Sequence, residues 1–345
     1  MSIDDLNKGV NVGTRVSIKD VAVSAGVSTA TVSHVINETR YVAEETKQKV
    51  HEAMRTLRYS PNSIARSLRS HQSNVIGLVI PVKKNDTSNF FFMSIAHGIE
   101  STLKKHGYQL ILSNSNEELE NEKNQIDMLN SQIVDGVILA PTVLDHNYLE
   151  NEAYDFPIVF VDRKPEGYEG DCVLVDNFNG TYEAIKLLID KGHDKIGYLS
   201  GPLGISTSEE RYQGYKQALE DHGIEYKDDF VRFGEANYEN GQLYTEELVD
   251  QESVSAIFIA NNVMTIGAMI TLQEKDIDIP NKLAVIGFDD YEWTKITKPP
   301  LTVIKQPAFE LGEKAAEVLL EKIKKSTTPS SEYRLPTELV IRGSS

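Results

Sequence analysis

Residues 26–37 read GVSTATVSHVIN, an unpromising sequence for a helix. Thr29, Thr31, Val32, Val35 and Ile36 are β-branched, and Ser28 and Ser33 compete for backbone hydrogen bonds. Yet Val32, Val35 and Ile36 recur at helical spacing behind Ser28, a good N-cap. The predicted helix turns its apolar residues inward and leaves hydroxyls and the His34 imidazole outside. Upstream, SIKDVAVSAG (17–26) sets Ile18, Val21, Ala22 and Ala25 on one helical face behind Ser17, with Gly26 at the turn. Downstream, EETKQKVHEAMRTL (44–57) closes a three-helix core with Val50, Ala53, Met54 and Leu57. Two short helices joined at a glycine are helix-turn-helix spacing, in which the second helix lies in the major groove of DNA. Thr29, Ala30 and His34 then lie where base edges are read, and Ser28, Thr31 and Ser33 lie nearer the phosphates. A surface helix that happens to be rich in hydroxyls is the alternative, and the flanking helices weigh against it.

Charge is distributed to match. The 345 residues carry a formal net charge of −17. The first seventy residues nevertheless hold ten Lys/Arg against seven Asp/Glu, leaving 25 against 45 beyond them. A basic segment on an acidic body directs nucleic acid to the basic end. The lone Cys172 forms no internal disulfide, which suits a cytoplasmic protein. No apolar run approaches the ~18–20 residues of a membrane span. The first fifteen residues read as a polar, disordered leader rather than a secretory signal.

In YSPNSIARSLRSHQS (59–73), Ser60 is placed to cap and Pro61 to open a helix, with Ile64, Ala65 and Leu68 as its apolar stripe. Such a helix is too short to be stable alone and needs a partner, such as its own copy across a dimer axis on DNA.

Residues 16–73 resemble the headpiece and hinge of the LacI/GalR family of bacterial repressors. VSTATVSHVIN-TR-VAEET and YSPN-IARSL are especially similar to the purine and ribose-operon repressors. The resemblance implies further DNA contacts from Asn37, Tyr41, Tyr59, Asn62, Ala65 and Arg69. It also implies that Leu68 wedges between base pairs in the minor groove, a device that kinks the duplex. Ala30 stands where relatives carry Thr or Ser, so its methyl can meet a thymine but cannot donate a hydrogen bond.

From Val75 onward, short apolar runs alternate with amphipathic stretches: VIGLVIP, YQLILSN, DGVILAP, PIVFVD, KIGYLSG, SAIFIAN and LAVIGFD. This pattern predicts parallel sheets covered on both faces, and the length predicts two similar halves dividing near residue 165. Ligands collect at the carboxyl ends of such strands. Following the runs are Asn89 to Phe92, Asp162-Arg163, Arg211, Asn261-Asn262, Asp289-Asp290 and, after LTVIKQP, Gln306. Rings, carboxylates, guanidinium groups and amides in one cleft suit a sugar. Each residue also has a structural reading: the phenylalanines as core, Asp162-Arg163 as a surface pair, Asn261 as a helix cap.

The body resembles periplasmic sugar-binding proteins. That likeness implicates Asn89, Phe91, Phe92, Asp162, Arg163, Arg211, Tyr238, Asn261, Asp289 and Gln306 in binding a ribose-like effector. Ile205 stands where purine repressors carry a base-contacting arginine, which argues against a purine. Phe90 replaces the usual proline, and Asn262 the usual aspartate.

Phosphate-loop, nucleophile-elbow and zinc-protease motifs are all missing from the sequence, so no enzyme, cofactor or metal is expected. The expected layout is a leader (1–15), an all-α helix-turn-helix headpiece (16–60), a hinge helix (61–73), and an α/β body (74–345). That body comprises two doubly wound parallel-sheet subdomains like those of periplasmic binding proteins. The expected partners are a pseudopalindromic double-stranded operator, a small sugar and a second copy of the chain. With no heptad segment after ELVIRGSS, a dimer is expected rather than a tetramer. A sugar-transport protein is the rival reading, opposed by the DNA-binding segment.

Overall fold

The computed structural model describes residues 16–37, 39–59, 72–83, 89–142, 148–149, 154–251, 254–325 and 329–345. The chain divides after His71 into two compact units, each described by itself below.

The N-terminal unit contains α1 (Ile18–Ala25), α2 (Thr29–Asn37) and α3 (Glu44–Thr56). The Ser17 N–H and hydroxyl both donate to the Asp20 carboxylate, at 2.8 and 2.7 Å, fixing the start of α1. At its end Gly26 adopts φ +66°, a left-handed conformation that reverses the chain towards α2. Val21, Ala22, Val32, Val35, Val50 and Ala53 form the core, with Ile18, Met54, Leu57 and Tyr59 around them. The helical spacing read from the sequence is the spacing that buries these residues.

The larger unit contains two six-stranded sheets. The first contains β1 (Val75–Ile80), β2 (Gln109–Asn114), β3 (Gly136–Leu139), β4 (Ile158–Val161), β5 (Cys172–Val175) and β11 (Glu332–Leu335), in the order β11-β5-β4-β3-β1-β2. All its pairings are parallel. The second contains β6 (Ile196–Ser200), β7 (Val231–Phe233), β8 (Ala256–Ile259), β9 (Ala284–Phe288), β10 (Thr302–Lys305) and β12 (Glu338–Val340), in the order β12-β10-β9-β8-β6-β7. Here only β12 runs antiparallel to its neighbour.

Helices cover both faces of each sheet, which is why most strands are continuously buried. The first sheet carries α4 (Asn89–Lys105), α5 (Leu119–Ser131) and α10 (Ala308–Lys324). On the second lie α6 (Asn177–Asp190), α7 (Ser206–Asp221), α8 (Tyr238–Asp250) and α9 (Asn262–Glu274). Helices α4 and α10 pack backbone to backbone: a Cβ on Gly98 would lie 2.0 Å from the Phe309 carbonyl oxygen.

The chain passes between the halves at 175–177, 305–308 and 335–338. The first passage corrects the expected division near 165, because β5 still belongs to the first sheet. Its four residues, CVLV, follow a polar loop and give too short an apolar run to stand out.

Candidate functional site

The carboxyl ends of the strands meet at a cleft of about 500 Å³. From the first half, Lys83, Glu117 and Arg163 line it, following β1, β2 and β4. From the second come the loops after β6, β7 and β8 with the first turns of α7, α8 and α9, including Ile205, Thr207, Arg211, Tyr238 and Asn261.

Arg163 extends along the first wall. Its Nη1 donates to Glu117 Oε1 at 2.5 Å and to the Pro141 carbonyl at 3.1 Å. Its neighbour Asp162 is buried, adopts φ +67°, and lies 3.7 Å from Arg163 Nε. Burial pushes the Asp162 carboxyl up to about 6, although Arg163 and Arg211 both favour its ionised form.

The second wall is built around Arg211. Its Nε donates to Asn177 Oδ1 at 2.8 Å, its Nη1 to the Ala260 carbonyl at 2.6 Å, and its guanidinium carbon stands 3.6 Å from the centre of the Phe288 ring. Burial lowers the Arg211 pKa, with Asp289 and Asp162 acting against that shift. Asp289, also buried and at φ +72°, accepts Gln306 Nε2 at 2.7 Å and Asn262 Nδ2 at 2.9 Å. Burial raises its pKa against those two hydrogen bonds.

Of the residues expected at the site, Arg163, Arg211, Tyr238 and Asn261 line the cleft. The Asn261 side chain also caps α9, accepting the Val263 and Met264 N–H groups at 2.9 and 3.2 Å, so the structural reading of this residue holds as well. Asp162, Asp289 and Gln306 stand in contact with this set rather than in the lining itself. Phe91 and Phe92 lie in the core of the first half, edge to face at 5.3 Å, and are not among the lining residues. Phe90 is exposed, its ring 5.6 Å from that of Tyr291, so it is neither core nor lining. Asn89 opens α4.

Sequence reading missed Glu117 and Asn177, the partners of the two arginines. Glu117 lies three residues beyond β2, a strand whose end was not searched, and Asn177 follows the unrecognised β5. Lys83 and Glu235, 3.9 Å apart between the two halves, were missed as well.

In the N-terminal unit, Ser28, Thr29, Ala30 and Asn37 are exposed, and Thr31, Ser33 and His34 half-buried. Several hydroxyls already have partners. Ser28 Oγ accepts the Thr31 N–H at 3.1 Å and bonds the Thr31 hydroxyl at 2.8 Å, while His34 Nδ1 bonds Thr39 Oγ1 at 2.8 Å. Tyr41 is 94% exposed, whereas Tyr59 packs against the core. Asn62, Ala65, Leu68 and Arg69, and with them the expected hinge helix, lie outside the described residues, as does the expected leader.

Comparison with known proteins bears directly on both regions. Residues 17–62 match the model of bacterial regulatory proteins of the lacI family, and residues 73–343 that of periplasmic binding proteins and the sugar binding domain of the LacI family. The chain belongs to the LacI family. It is similar to the HTH-type transcriptional repressor PurR of Mannheimia succiniciproducens, 38% identical over 95% of this chain and 98% of that one. Among solved structures, a Lac repressor dimer bound to operator and the anti-inducer ONPF matches with a TM-score of 0.86 and 27% identity, covering 96% of this chain and 99% of the other. A putative ribose operon repressor from Burkholderia thailandensis matches at 0.70 and 31%, over 78% and 99%. As a LacI-family protein the chain is a DNA-binding transcriptional repressor and not an enzyme. None of the described helices is long and apolar enough to cross a membrane.

Proposed function

We propose that this repressor binds a pseudopalindromic operator as a homodimer in the cytoplasm, and that a small neutral sugar of the ribose class occupies its cleft and releases it from DNA. The observation that carries the sugar reading is the balance of charge at the cleft. Lys83, Arg163 and Arg211 are matched by Glu117, Glu235 and Glu239 in the lining, with Asp162 and Asp289 adding two more carboxylates. Much of the arginines' donor capacity is already used on Glu117, Asn177 and backbone carbonyls. An acceptor-rich site of this kind welcomes hydroxyl donors and repels phosphate or carboxylate groups. Ile205 at the mouth of α7 offers a purine no hydrogen bond from its side chain.

A purine effector is the second reading, favoured by the 38% identity to a repressor named PurR. Thermal unfolding in the presence of D-ribose, other pentoses and hexoses, hypoxanthine and guanine separates the two, since a ligand of the native state raises the midpoint. A rise with D-ribose, together with release of operator DNA by the same sugar, is the expected result. A rise with hypoxanthine or guanine alone replaces the sugar reading by the purine one, and sugar that tightened operator binding would reverse the sign of control.

A further inference from the structure

Two buried charged groups of the second wall are fastened to the segments that pass between the halves. Asp289 accepts from Gln306, in the 305–308 passage, and Arg211 donates to Asn177, in the 175–177 passage. From Asn177 the bonding continues outward. Its Nδ2 donates to the Val175 carbonyl at 3.2 Å and stands 3.5 Å from Glu210 Oε2. Glu210 Oε1 accepts Arg334 Nη1 at 2.8 Å, and Arg334 Nε donates to Glu332 Oε1 at 2.8 Å. Glu332 Oε2 accepts Lys164 Nζ at 2.6 Å, next in sequence to Arg163 of the opposite wall. The Lys164 N–H in turn donates to Ser206 Oγ at 3.0 Å, at the start of α7. The result is a ring of contacts from one wall of the cleft, around the passages, to the other.

We propose that Asn177 and Arg334 are positioning residues of the effector site, forming a relay that ties the placement of Arg211 to the angle between the halves. Arg334 lies on β11 of the first sheet and Glu210 on α7 of the second half, so their ion pair spans the two bodies. Any rotation of one half on the other changes the distance between β11 and α7. The two links differ in strength. Asn177 and Arg211 are 1% and 9% exposed, and breaking their bond strands buried polar groups. The side chains of Arg334 and Glu210 are 38% and 24% exposed, in the range where an ion pair is weak and easily exchanged for water. Rotation therefore breaks the outer link and spares the inner one. A ligand that holds Arg211 in place favours whichever inter-half angle keeps Glu210 within reach of Arg334, which is the coupling an effector-controlled repressor needs.

The relay rests on a ligand occupying the cleft, as proposed above, and two experiments on the full chain keep the two ideas separate. The first measures urea unfolding of the wild type, Arg211→Met, Arg334→Met and the double variant. Arg211 and Arg334 are joined through Asn177 and Glu210, so the double variant is expected to lose less stability than the two single losses combined. Additive losses would overturn the relay, whatever the ligand. The second titrates D-ribose by calorimetry. Arg334→Met is expected to weaken binding by roughly 3- to 30-fold, the range for residues that modulate coupling without touching ligand. Arg334→Lys, which keeps a cation within reach of Glu210, is expected to recover part of that loss. Unchanged affinity in Arg334→Met overturns the proposal; a wild type that ignores D-ribose refutes the ribose reading and leaves the urea cycle to judge the relay.

Discussion

Replacing Asp162 by asparagine tests the electrostatics of the cleft with little disturbance of shape. Asparagine is nearly isosteric, and it is among the few residues that tolerate the φ of +67° found here. In the fold, burial lifts the Asp162 carboxyl from its ordinary 3.8 to about 6. Between those values the folded state holds more protons than the unfolded chain, so stability falls as pH rises through the window. At about 1.36 kcal/mol per pH unit, the full penalty above pH 6 is about 3 kcal/mol. At pH 4.5 an unfolded carboxyl is already largely ionised, which leaves about 2 kcal/mol to develop between pH 4.5 and 7.5. An amide in place of the acid carries no such penalty. Urea unfolding at the two pH values is therefore expected to show Asp162→Asn gaining on the wild type by about 2 kcal/mol as pH rises. A difference that stays flat with pH would refute the reasoning. A difference that grows in the wild type's favour would show that Arg163 and Arg211 outweigh burial and hold the carboxyl below its ordinary range.

Arg163→Ala removes the partner of Glu117 from the first wall, and is expected to abolish the D-ribose response while operator binding, measured by fluorescence anisotropy, persists. Gly98→Ala drives a methyl to 2.0 Å from the Phe309 carbonyl oxygen, and its urea midpoint is expected to show a loss of about 1–3 kcal/mol or more, as overpacked contacts do. Cys172 is fully buried, and burial pushes its thiol up to about 12, so a thiol reagent is expected to label it only as fast as the protein unfolds. Leu68→Ala is expected to weaken binding to the operator far more than to random DNA, and equal losses in a competition assay would remove its wedge role.

Much of this fold is legible in the sequence because burial on both faces leaves a plain signature. Runs such as VIGLVIP and LAVIGFD have no polar residue to interrupt them, and each became a strand with helices on either side. The strands that escaped notice, CVLV, VRF, EYRL and ELV, are three or four residues long. β7, β11 and β12 lie at sheet edges, where one side of the ladder is free and the residues alternate in polarity. Missing β5 displaced the boundary between the halves by about ten residues and hid Asn177, the residue that holds Arg211. At the site, position along a strand identified which residues reach the cleft end, but not which way a side chain turns. Phe91 and Phe92 follow the first strand as a ligand-stacking pair would, yet they sit on the inward face of α4 and pack with Ile95 and Ile99. Asn261 reaches the cleft while its side chain is occupied in capping a helix.

The duplicated topology explains why the two buried carboxylates of the site resemble each other, and why they differ in role. β4 and β9 occupy the same place in their respective sheet orders, and each ends in an aspartate with left-handed backbone, Asp162 at φ +67° and Asp289 at φ +72°. One architectural slot thus delivers an acceptor to each wall. Their neighbours then set them apart. Asp289 is gripped by Gln306 and Asn262, and its follower Asp290 is tied to Arg342 at 2.6 Å, which anchors that loop to the segment after the chain's last strand. Asp162 is followed by Arg163, whose Nε lies 3.7 Å from it while the rest of that guanidinium is turned to Glu117 and Pro141. The Asp289 acceptor is pre-set by hydrogen bonds, and the Asp162 acceptor is buried at a cost in stability beside a cation that is partly engaged elsewhere. Hydroxyl donors on a ligand would relieve that cost at Asp162 and would add less at Asp289. Ligand binding energy is therefore concentrated on the half that carries Arg163, and it becomes available only when the halves close on the ligand together.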